Sequence, residues 1–243
     1  MNKLTLYPVV RMPLVEPGDN LAKIILDAIS LFMAVKENDV IVVAQKIISK
    51  SEGAIVDIST VNPTDEAKHI AQQTGRDPRL CQIYLDEASE VIAIKGRMVI
   101  TRHKLGFVGS SSGVDRSNIA PHEDGMVVLL PKDPDRSARN IRSYILNKTG
   151  KRIAVIINDS CGRDYRGGSV GMSIGIAGIG AIEIKEKSDL YGNESRSQTA
   201  LVDELAAAAS VLMGQADEAI PAVLIRGVSF KVVENARISE LLH

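Results

Sequence analysis

The sequence predicts an α+β protein with mixed, largely antiparallel sheets and packed helices. Three observations predict it. Apolar runs of strand length are bounded by turn residues. Helical stripes fall between some of those runs but not others. The order of helix and strand is irregular, which disfavours the steady alternation of a doubly wound sheet.

The elements follow in order. TLYPVV, residues 5–10, reads as a first strand. Asp19 is placed to cap a helix carrying Leu21, Ile24, Ile25 and Ile29 on one face. Asn38-Asp39 turn the chain into VIVVA, a continuous apolar run that reads as a strand buried on both faces. Residues 63–66 open a short helix toward Gly75, and another helix spans residues 79–88. VIAI and MVIT flank Lys95-Gly96-Arg97 and read as a hairpin. Residues 106–125, with their glycines and serines, Asp115, Asn118 and Pro121, read as loop. Residues 127–130 return to strand. Asp133-Pro134-Asp135 start a helix that carries Ile141 and Ile145 and stops at Gly150. Residues 153–157 and 170–179 read as strands, residues 200–213 as a helix ended by Gly214, and residues 222–226 as a last strand.

The length of 243 residues suits one unit over residues 1–243, either a single large domain or two intertwined lobes. No repeat, low-complexity tract or linker interrupts it. The 29 basic and 30 acidic residues nearly cancel, so no global field selects nucleic acid or an anionic membrane, and an anion site has to be local. Aromatic residues are 3% with no Trp, which disfavours a base-stacking platform. No stretch has the length of a membrane span, and the N-terminus has no signal-peptide core. The two cysteines have no metal-finger spacing, so a cytoplasmic, reducing setting is expected. Cys161 reads as a small filler or as a nucleophile. The four histidines, His69, His103, His122 and His243, show no paired spacing.

Four segments can carry chemistry. NDSCGRDYRGGSVG, residues 158–171, follows an apolar strand and sets Asp159 and Ser160 at a sheet edge. Hard oxygen donors suit Mg²⁺ or Mn²⁺. The glycines of this stretch allow close backbone approach to a ligand, and Arg163 and Arg166 offer fork-shaped donors to phosphate or carboxylate. GVDRSN, residues 113–118, sets Asp115 and Asn118 among small residues. Gln45, Lys46 and Lys50 follow the VIVVA strand, with the lysines four apart on one helical face. Gln215 offers a carbonyl oxygen where the last helix ends. Neither a G-x-x-x-x-G-K-[ST] loop nor a G-x-G-x-x-G fingerprint is present.

These pieces, taken with Met12-Pro13-Leu14, ISKSEG at 48–53, LPKDPD at 130–135, DLYG at 189–192 and VDELAAAASVLMGQ at 202–215, resemble in order the coenzyme F420:L-glutamate ligases. The resemblance implies a GTP-dependent ligase. The terminal carboxylate of a deazaflavin coenzyme precursor is phosphorylated by GTP, and the amine of L-glutamate attacks the acyl phosphate to form an amide. It implies Mn²⁺ or Mg²⁺, two ions, with K⁺ as a helper, and a homodimer. It assigns Asp115, Asp159, Ser160 and Gln215 to the metal. Met12, Pro13, Leu14, Val15, Gln45, Lys46, Lys50 and Asn118 go to the nucleotide, and Arg163 and Arg166 to the substrate. No Ser or Cys nucleophile is expected, and no residue identifies itself as the base. Ser160-Cys161 stand where the family often has Thr-Asn, and Gly167 and Asn193 stand where it has arginines. A γ-glutamyl ligase for a folate-like or other acceptor is therefore a second reading. A nucleotide-binding homologue without turnover is a third.

Overall fold

The computed structural model describes residues 3–119, 125–163 and 165–242. Pro121, His122, Asp164 and His243 lie outside them. In chain order the elements are β1 (Thr5–Pro8), α1 (Leu21–Ser30), β2 (Val40–Ala44), α2 (Gln45–Ser51), β3 (Ile55–Asp57), α3 (Asp65–Thr74), α4 (Pro78–Glu87) and β4 (Ala88–Lys95). Then come β5 (Met98–His103), β6 (Val108–Ser110), β7 (Met126–Val128), α5 (Pro134–Thr149), β8 (Ala154–Arg163) and β9 (Arg166–Ala177). The chain closes with β10 (Glu183–Ser188), β11 (Glu194–Thr199), α6 (Leu201–Met213) and β12 (Ala222–Arg226).

The expected α+β class holds. The main sheet has the order β1-β12-β2-β8-β9. β2 and β8 are parallel, and the other neighbours are antiparallel. The central strands are apolar throughout because helices cover both faces. On one face Ile41, Val43, Val155, Ile157 and Leu224 pack with Ile25 and Ile29 of α1 and Ile141 and Ile145 of α5. On the other, Val40, Val42, Ile156, Val223 and Ile225 pack with Val202, Leu205, Ala206 and Ala209 of α6. A third cluster lies away from this sheet. There α3 and α4 bury Ile70, Leu80, Cys81 and Tyr84 against Val99 of β5 and Val127 of β7.

Local rules explain the helix limits. Thr64, Asp77 and Asp133 cap α3, α4 and α5 by accepting from backbone N–H groups inside the first turn. Gly75 and Gly150 end α3 and α5 in the left-handed conformation. Asp19 does not cap α1. Asn20 does, accepting from Lys23 N–H at 3.0 Å, because α1 begins one residue later than Asp19 would serve. Asp19 instead accepts from Glu16 N–H.

The largest difference from expectation is at residues 158–171. β8 does not end at Asp159-Ser160 but continues to Arg163 and pairs back with β9. The glycine-rich stretch is a long antiparallel hairpin, not a loop. Its outer β9 arm is exposed and its outer β8 arm alternates half-buried with exposed residues that are polar or small, so no apolar pattern marks it as strand. The exposed hairpin β10–β11 was hidden for the same reason. The segment read as loop after residue 106 also holds β6, which adds to β4 and β5. β3, likewise unread in the sequence, pairs with β7.

Candidate active-site cleft

One cleft of about 430 Å³ opens at the edge of the main sheet. Its lining includes Met12, Pro13, Leu14 and Val15 from the β1–α1 connection. It also includes Gln45, Lys46 and Lys50 from α2, Asp115 and Asn118, Asp159 and Ser160 from β8, and Gln215 after α6. All twelve residues assigned above to metal and nucleotide thus share one cavity. Arg163 and Arg166 are not in its lining. They are partners at the far end of the β8–β9 hairpin.

The positions follow from the fold. β2 and β8 are neighbours in parallel register, with Ala44 opposite Asn158. Their carboxyl ends therefore deliver α2 and Asp159 to the same edge. Asp115 arrives from elsewhere in the chain and is pinned by two backbone hydrogen bonds with Val128 at 2.9 and 2.8 Å. Gly214 ends α6 with φ 69° and turns Gln215 into the cleft rim.

The polar contacts link these pieces. Lys46 Nζ lies 2.9 Å from Asp115 Oδ2 and donates to Ser117 Oγ at 2.8 Å. The N–H and hydroxyl of Ser117 both donate to Asp115 Oδ1 at 2.8 Å. Asp159 Oδ1 accepts from Ser160 N–H at 2.8 Å. Asn118 Nδ2 donates to Ala216 O at 2.9 Å and ties its loop to the turn after α6. Lys50 Nζ donates to the carbonyls of Ile119 and Asn118, so it holds that same loop. Gln45 is buried and accepts from Ser49 Oγ at 2.9 Å.

The two carboxylates differ in their proton affinity. Burial acts to raise Asp115, but the Ser117 amide and the Lys46 ammonium outweigh it and hold this carboxyl below its usual range. Asp159 is pushed up to about 6, first by burial and then by the negative charge of Asp115; the Ser160 amide and Lys46 oppose this only in part. The effect of Asp115 on Asp159 is the electrostatic sign that the two acids lie near one another. Cys161 beside them is pushed up to about 12, chiefly by burial and further by Asp159 and Asp203. A thiol held protonated by burial is a poor nucleophile, which favours the filler reading of Cys161.

No group of three or more His, Cys, Asp or Glu is arranged for a metal among the described residues. A set of two carboxylates, a hydroxyl and an amide oxygen is nonetheless a hard-donor set that fits Mg²⁺ or Mn²⁺. The sequence reading gave no role to Asn158, which is 5% exposed and lines the cleft. Its Nδ2 contacts Met213 Sδ at 3.4 Å, and its Oδ1 has no hydrogen-bond partner among the described residues. The available signal was a polar residue directly after five apolar ones. Ser117, which orients Asp115, was also passed over.

Residues 9–227 match the family described as F420-0:Gamma-glutamyl ligase. The chain is 42% identical over 227 residues to the coenzyme F420:L-glutamate ligase of Methanothermobacter thermautotrophicus, covering 92% of this chain and 89% of the relative. It is 42% identical over 224 residues to that of Methanocaldococcus jannaschii, covering 90% and 86%. It is 36% identical over 241 residues to that of Methanosarcina mazei, covering 98% and 91%. This chain belongs to the F420-0:gamma-glutamyl ligase family.

Proposed function

We propose that this protein is a GTP-dependent ligase that joins L-glutamate to a deazaflavin coenzyme F420 precursor by an amide bond. The observation that carries the reading is the meeting of Asp115, Asp159 and Lys46 in one cleft, walled by Met12, Pro13, Leu14 and Val15. The family name of the relatives supplies the acceptor and the amino acid.

In this reading the precursor carboxylate attacks the γ-phosphorus of GTP. The β–γ bridging bond breaks, GDP leaves, and an acyl phosphate remains. The amine of glutamate then attacks the acyl carbon, the C–O bond to phosphate breaks, and the amine loses a proton. Phosphoryl transfer of this kind needs little covalent help from the protein and much positioning. Asp115, Asp159, Ser160 and Gln215 would hold two ions, Mn²⁺ or Mg²⁺, and K⁺ is a third proposed cofactor. When bound, the divalent ions neutralise charge on the phosphate oxygens during transfer. Lys46 adds a point charge toward the phosphates. Gln45 lies at the base of α2, and Asn118 and Lys50 hold the loop that carries Asp115. Met12, Pro13, Leu14 and Val15 offer an apolar face to the nucleobase, with Leu14 84% exposed. Arg163 and Arg166 are proposed to meet the acceptor from the adjoining hairpin.

A homodimer is part of the proposal. Tyr165, Leu190 and Tyr191 are almost wholly exposed on the β8–β9 and β10–β11 hairpins, apolar area that a second copy would cover.

The test is phosphate release from GTP with Mn²⁺, with and without glutamate and the deazaflavin precursor. Release that needs both substrates supports the reading. Glutamate-dependent release indifferent to the deazaflavin would redirect the acceptor. Nucleotide binding without release would leave a binding protein.

A further inference from the structure

We infer that Ser112 and Thr101 are positioning residues that set Asp115 for cation binding, although neither lines the cleft. The inference rests on the reading of Asp115 as a cation ligand.

Three successive residues before Asp115 have left-handed backbone: Ser111 at φ 57°, Ser112 at φ 50° and Gly113 at φ 66°. Glycine adopts this conformation freely, but two adjacent serines do not. Surrounding contacts have to hold them there. The contacts are explicit. Ser112 N–H donates to Thr101 Oγ1 at 2.9 Å. Ser112 Oγ donates to Tyr84 O at 2.7 Å and lies 3.0 Å from Thr101 Oγ1. Ser112 is 2% exposed and Thr101 is 0% exposed, so water does not replace these partners. Gly113 adds a constraint of another kind: a Cβ there would meet Leu130 Cγ at 2.8 Å.

The turn thus has its anchors in α4 and β5, within the third hydrophobic cluster. Its exit leads at once to Asp115, whose backbone is then paired with Val128. Between two fixed ends the Asp115 backbone is held in place, and Ser117 then locks the carboxyl through its Oδ1. Asp159 belongs to the main sheet. The relative placement of the two acids therefore passes through a buried hydroxyl pair that is not part of the cleft lining. Loss of the pair leaves the ligands in the sequence and alters only where one of them stands. Groups hydrogen-bonded directly to metal ligands commonly change metal affinity by about 10–100-fold when removed, and this pair, acting through the backbone of Asp115, is expected at the lower end of that range.

The test compares Mn²⁺ affinity, read from the free-ion electron paramagnetic resonance signal, in wild type, Thr101→Val, Thr101→Ser, Ser112→Gly and Asp115→Asn. Thr101→Val is expected to weaken Mn²⁺ binding roughly tenfold. Thr101→Ser, which keeps the hydroxyl, is expected to restore it. In turnover the valine variant should show a raised Mn²⁺ requirement with kcat recovered at saturating Mn²⁺, a split that general loss of structure does not give. Should Thr101→Val fail to fold, Ser112→Gly decides, because glycine accepts the left-handed backbone and loses only the hydroxyl anchor. Wild-type Mn²⁺ affinity in Asp115→Asn would overturn the ligand reading and the inference with it. A loss in Asp115→Asn with wild-type affinity in Thr101→Val and Ser112→Gly would overturn the inference alone.

Discussion

Lys46 Nζ stands 2.9 Å from Asp115 Oδ2, an ion pair that joins the first turn of α2 to the loop after β6. In the proposed function this lysine serves the phosphates. Lys46→Met is then expected to weaken GTP binding roughly tenfold, since a hydrogen bond to a charged group contributes about 1.5–3 kcal/mol. Competition titration with a fluorescent GTP analogue at fixed Mn²⁺ measures it. An unchanged dissociation constant removes Lys46 from the nucleotide site.

Asp159→Asn is expected to abolish turnover with the fold intact, checked by activity beside circular dichroism. Full activity at saturating Mn²⁺ would refute the role. The same residue predicts a pH effect. Burial raises the Asp159 carboxyl to about 6, so below that pH the neutral acid prevails in the metal-free protein. A cation needs the carboxylate and has to displace that proton. Mn²⁺ affinity should be level above about pH 6 and fall as pH drops through it, and the fall should be absent in Asp159→Asn. A flat wild-type profile from pH 5 to pH 8 would contradict this.

Lys50 holds the carbonyls of Asn118 and Ile119. Lys50→Ala is expected to weaken nucleotide affinity and also to speed amide hydrogen exchange across residues 115–119. Faster exchange with unaltered GTP affinity would confine Lys50 to the loop.

Gly171 lies where β9 passes α6. A Cβ there would stand 2.6 Å from both Ala206 O and Asn158 Oδ1. Gly171→Ala should cost about 1–3 kcal/mol by overpacking and lower the melting temperature by several degrees. Because α6 leads into Gln215, metal affinity should fall as well. A melting temperature equal to wild type would show that the helix can shift at no cost.

Much of the frame was legible in the residues. VIVVA has no polar side because both its faces are covered. Asp133, Gly75 and Gly150 mark helix limits by local chemistry that needs no distant partner. What stayed hidden was mostly strand with little apolar content, together with the three-residue β3. The outer arm of β9 and nearly all of β10–β11 are exposed, and outer β8 carries polar or small residues, so their pairing rests on backbone hydrogen bonds that the side chains do not announce.

The sequence alone determined the α+β class, the buried strands and helices, and the residue types able to bind a cation and a nucleotide. Only the tertiary structure decided that Asp115, Asp159, Lys46 and Gln215 share one cleft. Their separations along the chain say nothing of distance in space. Parallel pairing of β2 with β8 brings Lys46 and Asp159 to one edge, and the Val128 pairing brings Asp115 to meet them. Burial chiefly raises Asp159, with Asp115 adding to it, while the Ser117 amide and Lys46 lower Asp115; burial and neighbouring charge are properties of the folded chain.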